Sequence, residues 1–175
     1  SRATIAHNSV LVNGEGQPHS PNAVAEVSRF FNTADYSVFT GEAAGAYEEP
    51  LEIFDRTMVF IRPDVILCHD HLKAPAPSEY SWLFHSFEAA DINEDAHQMV
   101  VRQRDQRLRV QHLIPDQIAY EQSNERPYPM LTRRWCRFTN KFPQQYTIKG
   151  TPPASAETQM LTFMDAYEEQ EGTAS

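Results

Sequence analysis

Three placements of histidine in this chain could do chemistry. His7 is followed by Asn8 and leads into the apolar run Ser9-Val10-Leu11-Val12. His69-Asp70-His71 sets two imidazoles at positions i and i+2, which share one face of a strand. His85 ends the aromatic run Tyr80-Ser81-Trp82-Leu83-Phe84-His85. Zn²⁺ takes four ligands, or three and a water. His69 and His71, with His85 or a nearby acid, could therefore hold a divalent metal. The plainer alternative is that all are ordinary histidines on a polar sheet face or at a sheet end. Arginines cluster at Arg102, Arg104, Arg107 and Arg109, and again at Arg133, Arg134 and Arg137. Guanidinium forks recognise carboxylate and sulfate bidentately, which would suit an anionic polysaccharide. Here too a plainer reading stands, a solvated sheet face with Arg102 and Arg104 across a hairpin from Arg107 and Arg109. No Gly-x-Ser-x-Gly elbow, phosphate-cradling glycine loop or Cys-x-x-Cys pair occurs.

The elements that must position these residues read as short strands. Twelve prolines spread through the chain argue against long helices. Ser9 to Val12 stops at the turn dipeptide Asn13-Gly14. Glu26 to Phe31 and Tyr36 to Thr40 read as strands. Ile53 to Ile61 and Val65 to Leu72, divided by Arg62-Pro63-Asp64, predict an antiparallel hairpin closed by Pro75 and Pro77. Tyr80 to Glu88 places Tyr80, Trp82 and Phe84 on one face and Ser81, Leu83, His85 and Phe87 on the other, so both faces could be covered. Gln98 to Arg104 and Arg107 to Leu113 form a second hairpin around Asp105-Gln106, and Ile118 to Gln122 follows. Trp135, Cys136, Arg137 and Phe138 fit a helix or a strand. Met160, Leu161, Met164 and Tyr167 fit a helix, whereas Met160, Thr162 and Met164 fit a strand; periodicity leaves this open. From Asp165 the chain carries Glu168, Glu169 and Glu171 with no base, and is expected to fray. Turns at about ten-residue spacing predict an all-β, antiparallel sandwich with few short helices.

Composition bounds the rest. The 175 residues suit one domain or a piece of a larger one. At 41% hydrophobic and 11% aromatic, the chain can bury a core. Its formal charge of −9 and pI near 5.2 argue against generic nucleic-acid binding. No apolar run has a membrane span's length. Two cysteines, Cys68 and Cys136, exclude a disulfide scaffold. The chain opens Ser1-Arg2-Ala3-Thr4 without methionine, a charged leader or an apolar leader core, and is expected to be a piece of a longer or processed polypeptide.

The order of several motifs carries a resemblance. Arg2-Ala3-Thr4-Ile5-Ala6-His7-Asn8, an apolar strand and Asn13-Gly14-Glu15-Gly16-Gln17 resemble the signature of the heparinase II/III-like polysaccharide lyases. Thr40-Gly41-Glu42-Ala43-Ala44-Gly45-Ala46-Tyr47 is similar to the family's Gly-Asp-Ala-x-x-Ala-Tyr stretch, with Glu42 for aspartate. The run from Phe54 to Asp64 resembles its Arg-x-Val-x-Phe-x-Pro hairpin, and Tyr80 to His85 its Trp-Leu-Leu-His strand. The likeness is good over residues 1–115, looser to about residue 142, and thin beyond.

The resemblance implies the C-terminal part of a supersandwich-like β domain, here residues 1–164, followed by an acidic tail over 165–175. It implies a parent that cleaves uronic-acid polysaccharide by β-elimination, in a bacterial periplasm or outside the cell. An N-terminal α/α toroid and upstream strands of the same protein would supply the catalytic groups, so no residue of this chain is assigned to catalysis. It implies a structural Zn²⁺ with His7 as one ligand, the others being an upstream His-x-His strand and aspartate. His69 and His71 follow the His-Asn motif rather than precede it, and receive no role from the resemblance. The expected partners are an acidic polysaccharide and the missing N-terminal part, with neither nucleic acid nor a membrane span. Two rival readings are a small metal-binding β-barrel using His69 and His71, and a non-catalytic carbohydrate-binding sandwich.

Overall fold

A computed structural model describes residues 3–47, 51–125 and 145–168. Two antiparallel sheets face each other. The smaller contains β1 (Val10–Val12), β6 (Tyr80–Ser86), β11 (Tyr146–Thr151) and β10 (Ala119–Ser123), in the order β1-β6-β11-β10. The larger contains β2 (Glu26–Asn32), β3 (Tyr36–Glu42), β4 (Ile53–Ile61), β5 (Val65–Ser78), β7 (Ala90–Asn93), β8 (Gln98–Gln103), β9 (Gln106–Ile114) and β12 (Ser155–Glu168). Its order is β2-β3-β4-β5-β12-β9-β8-β7. Helix among the described residues is limited to two single 3₁₀ turns, Thr4–Ala6 and Ala44–Ala46. The all-β sandwich expected from turn spacing is therefore the observed fold.

Period-2 alternation sets the register. Ile53–Ile61 pairs with Val65–Lys73, so Phe54 lies opposite Leu72 and Arg56 opposite Asp70. The inner face of this sheet carries Phe54, Leu72, Met160, Val110 and Met99, packed against Val10, Val12, Tyr80, Trp82 and Ile148 of the smaller sheet. At Asn13 and Gly14 both φ angles are positive, 52° and 81°, the geometry of a type I′ turn, and Val12 bridges to Glu15. Gly150 is required for a different reason: a Cβ there would lie 2.9 Å from the Ile118 side chain and 3.4 Å from the His112 ring.

Two expectations are corrected, and one alternative left open by periodicity is decided. Pro75 and Pro77 do not close the hairpin, because β5 runs on to Ser78. Between Lys73 and Ser78 the register with β12 shifts, so these prolines, which cannot donate to a ladder, sit at an irregularity that needs no donor. Met160 to Tyr167 is strand, because β5 and β9 offer β12 a ladder on both sides. Fraying does not begin at Asp165: Asp165 to Glu168 pair with Arg109 to Gln106. The remainder of the acidic tail, residues 169–175, and the run Arg133, Arg134, Trp135, Cys136, Arg137 and Phe138 lie outside the described residues.

His112 lies between the sheets, 2% exposed, its ring edge-on to Trp82 at 4.8 Å. Burial pushes its pKa down to about 4, and the charge of His97 adds to this. Burial also raises the pKa of Tyr120. The Tyr120 hydroxyl and His112 Nδ1 share a hydrogen bond at 2.7 Å, its direction set by the imidazole tautomer. Unfolded histidine takes up its proton near pH 6.5, and this ring resists until about 4. The unfolded state therefore binds more protons between those values, and stability is full above pH 6.5 and falls as pH drops towards 4. The shift corresponds to ~3 kcal/mol at most. Unfolding free energies from urea denaturation are expected to fall by up to ~3 kcal/mol between pH 7 and pH 4, with a shallower slope in His112→Gln.

Candidate functional site

The segment leading into β1 is clamped from both sheets at Asn8. The Asn8 Oδ1 accepts the backbone N–H of His85 at 3.0 Å and faces the same residue's Nδ1 at 3.0 Å. On its other side, Arg56 on β4 donates Nη1 to the Asn8 carbonyl at 2.8 Å. Arg56 also grips Asp70 on β5 bidentately, Nε to Oδ1 at 2.6 Å and Nη2 to Oδ2 at 2.8 Å. Asp70 is 1% exposed. Burial works against the Arg56 charge more than any other single influence, but the hydrogen bonds and charge of Asp70 together outweigh it and raise the pKa. Tyr47 donates its hydroxyl to the Val10 carbonyl at 2.7 Å, and its pKa is raised by burial. Cys68, one inner-face position along β5 from Asp70, is a neutral thiol, its pKa pushed up to about 12 by burial and then by Asp70.

Two further hydrogen bonds shape the start of this segment. The His7 N–H closes the 3₁₀ turn on the Thr4 carbonyl at 2.9 Å, and the buried Thr4 hydroxyl accepts the Gln17 N–H at 2.7 Å. His7 therefore leaves the turn with its side chain in solvent. It stands close enough to His85 for its charge to act there. The His85 ring faces Asn8 Oδ1 with Nδ1 and the Ile5 carbonyl with Nε2 at 2.9 Å. Serving both acceptors needs a hydrogen on each nitrogen. Burial opposes that charged form, outweighs the Ile5 carbonyl's support, and is helped by His7, so the pKa is lowered.

The histidines and arginines singled out above separate in space. His69 and His71 lie on the outer face of the larger sheet, where Nε2 of each is taken by a cross-strand neighbour: Gln159 Oε1 at 3.1 Å and Glu157 Oε1 at 2.8 Å. His85 belongs to the other sheet. The metal-binding reading built on His69 and His71 gains no support, since alternation places both rings on the outer face and His85 on the other sheet. Among the described residues no group of three His, Cys, Asp or Glu side chains could hold a metal. His7 alone does not fit a zinc ion within these residues. The arginine cluster on β8 and β9 is largely engaged internally. Arg109 forks Asp165 at 2.7 and 3.0 Å and lies over Phe163, Arg102 pairs with Asp91, and Arg107 donates to the carbonyls of Arg104 and Gln106.

By sequence alone no curated protein matches the chain. The family model described as "Heparinase II/III-like, C-terminal" matches residues 1–139. The chain belongs to the heparinase II/III-like family. Its fold agrees with solved members: heparan sulfate lyase HepC of Pedobacter heparinus superposes with a TM-score of 0.76 at 14% identity, covering 98% of this chain and 25% of that one. A heparinase III gives 0.74 at 12% identity, covering 99% and 25%. The chain thus spans about a quarter of the length of these enzymes.

Within this heparinase II/III-like domain the Arg56–Asp70 pair and the Tyr47 hydroxyl are features that sequence reasoning missed. The signal was present: Phe54, Arg56, Met58 and Cys68, Asp70, Leu72 alternate inward on two strands of one hairpin, placing opposite charges at facing inner positions. Removing one partner of a buried pair leaves the other charge uncompensated. Asp70→Ala is expected to lower unfolding free energy by about 3 kcal/mol or more, and the double change Arg56→Met with Asp70→Leu to recover much of that loss. Chemical denaturation of the three proteins checks this.

Proposed function

We propose that this domain is the C-terminal β-sandwich part of a polysaccharide lyase, and that the complete protein cleaves a uronic-acid-containing polysaccharide by β-elimination. The observation that carries the reading is the family match over residues 1–139. The solved neighbours named for heparan sulfate and heparin cleavage support it through their fold. In such a reaction the C5 proton of the uronate leaves to a base, the C4–O bond breaks, and an acid protonates the departing oxygen. The uronate carboxylate must be neutralised for that proton to become acidic. None of these roles is assigned to this chain. Its contribution is a rigid scaffold, and the toroid and upstream strands of the parent supply the reacting groups. Acidic polysaccharide is met outside the cytoplasm, and a periplasmic or extracellular bacterial location is part of the proposal.

We further assign His7 as one ligand of a structural Zn²⁺ completed by upstream residues of the parent. Its solvent-facing ring beside a clamped Asn8 supports this reading. A zinc bound only by the folded state adds to stability, so its loss lowers the melting temperature.

Two outcomes are expected. The complete parent, incubated with heparan-type or alginate-type polymers, generates the ultraviolet absorbance of an unsaturated uronate. The isolated segment shows none, since a positioned acid or base alone contributes roughly 10²–10⁴-fold. A segment that binds the polymer, within a parent that yields no unsaturated product, would favour the carbohydrate-binding reading. Parent His7→Ala is expected to lose zinc by metal analysis and to melt at a lower temperature. Unchanged zinc and melting temperature would remove the ligand assignment.

A further inference from the structure

Two polar side chains meet in the middle of the apolar core. Thr162 on β12 lies opposite His112 on β9, both on the inner face of the larger sheet. They are 1% and 2% exposed, and Met160 and Val110, the next inner positions on their strands, are fully buried. Thr162 Oγ1 and His112 Nε2 each lack a hydrogen-bond partner among the described residues. A buried polar atom left in that condition has lost its hydration and gained nothing in return.

The ladder is irregular at the same place. Leu161 pairs with Ile114 and Thr162 with His112, so Leu113 is an extra residue on β9, a β-bulge. The other ring nitrogen is already engaged, since His112 Nδ1 shares a hydrogen bond with the Tyr120 hydroxyl of the smaller sheet. The residue facing the carbon between the two nitrogens has no side chain to offer: a Cβ on Gly150 would lie 3.4 Å from His112 Cε1.

We propose that one water molecule bound inside the core bridges Thr162 Oγ1 and His112 Nε2. It completes a hydrogen-bonded chain that runs from Tyr120 on the edge strand of the smaller sheet, through His112, to Thr162 near the centre of the larger one. Cβ atoms of directly opposite residues stand roughly 4.5–5.5 Å apart, which leaves room for a bridge between side chains that do not bond each other. Water suits the pair because it both donates and accepts. With Nδ1 engaged by the phenol, Nε2 is an N–H in one tautomer and a lone pair in the other, and the threonine hydroxyl can take either part. A cation suits it poorly. Imidazole and hydroxyl here are uncharged, and the buried carboxylate among the described residues, Asp70, is committed to Arg56. Buried waters typically make about three hydrogen bonds, and the ladder groups freed at the bulge can supply the third.

The inference is independent of what the parent cleaves, so its test reads no activity. A crystal structure of the complete parent, at a resolution that places waters, is expected to show one ordered water at about 2.7–3.2 Å from both atoms. The same position is expected to lose it in parent Thr162→Val. A direct Thr162–His112 hydrogen bond, an Nε2 aimed at the Trp82 ring, or a protein group standing at that position would overturn the proposal. Should Thr162→Val fail to fold, the unaltered parent decides alone. Where crystals do not form, melting temperatures of parent Thr162→Val, His112→Leu and the double variant decide. A shared bridge predicts that the double variant loses less than the sum of the single losses, because the second change removes an atom the first has already orphaned. Additive losses would overturn it.

Discussion

A guanidinium and a carboxylate held inside the larger sheet tie this domain together. Arg56 and Asp70 face each other only because β4 and β5 pair in one register; a one-residue slip of either strand would turn its own charge outward and leave the other buried alone. Taken out of water, each charge depends on the other. The guanidinium has a further N–H, and it binds the Asn8 carbonyl, while the Asn8 side chain binds β6. One ion pair thereby connects a hairpin of the larger sheet, the segment before β1 and the centre of the smaller sheet. The cost of desolvating such a pair makes it a device for specifying one arrangement more than for adding stability.

That arrangement brings three of the motif segments together. The His-Asn pair, the hairpin containing Arg56 and the strand ending in His85 are far apart in the chain and meet at one asparagine. Asn8 is the residue both sheets hold, and His7 beside it is exposed. A histidine presented in this way has its backbone fixed and its ring available, which suits a ligand completed by residues from elsewhere.

The mismatch in sheet width divides the domain into two regions of different character. From β5 to β9 both layers are present, and burial favours the neutral forms of His112 and Tyr120. On β2, and at Phe39 and Phe60 of the next two strands, the inner face is exposed, whereas Phe54 on β4 is buried.

Alternation of apolar and polar residues, broken at Asn13-Gly14 and Arg62-Pro63-Asp64, determined the strand content and two of the hairpins from sequence. These are local properties, set by neighbouring side chains and backbone preferences. The family followed from motif order for the same reason, since each motif is a short contiguous run. The sequence did not determine that β5 continues through two prolines, that Met160 to Glu168 is a strand, or that Asp165 is ordered by Arg109. Each depends on a partner supplied from a distant part of the chain. Nor did spacing reveal that His69 and His71 bind Gln159 and Glu157 on the outer face, while Arg56 and Asp70, in the same hairpin, face inward. Periodicity places residues on one face or the other, but only the second sheet, packing on one side, decides which face is inside.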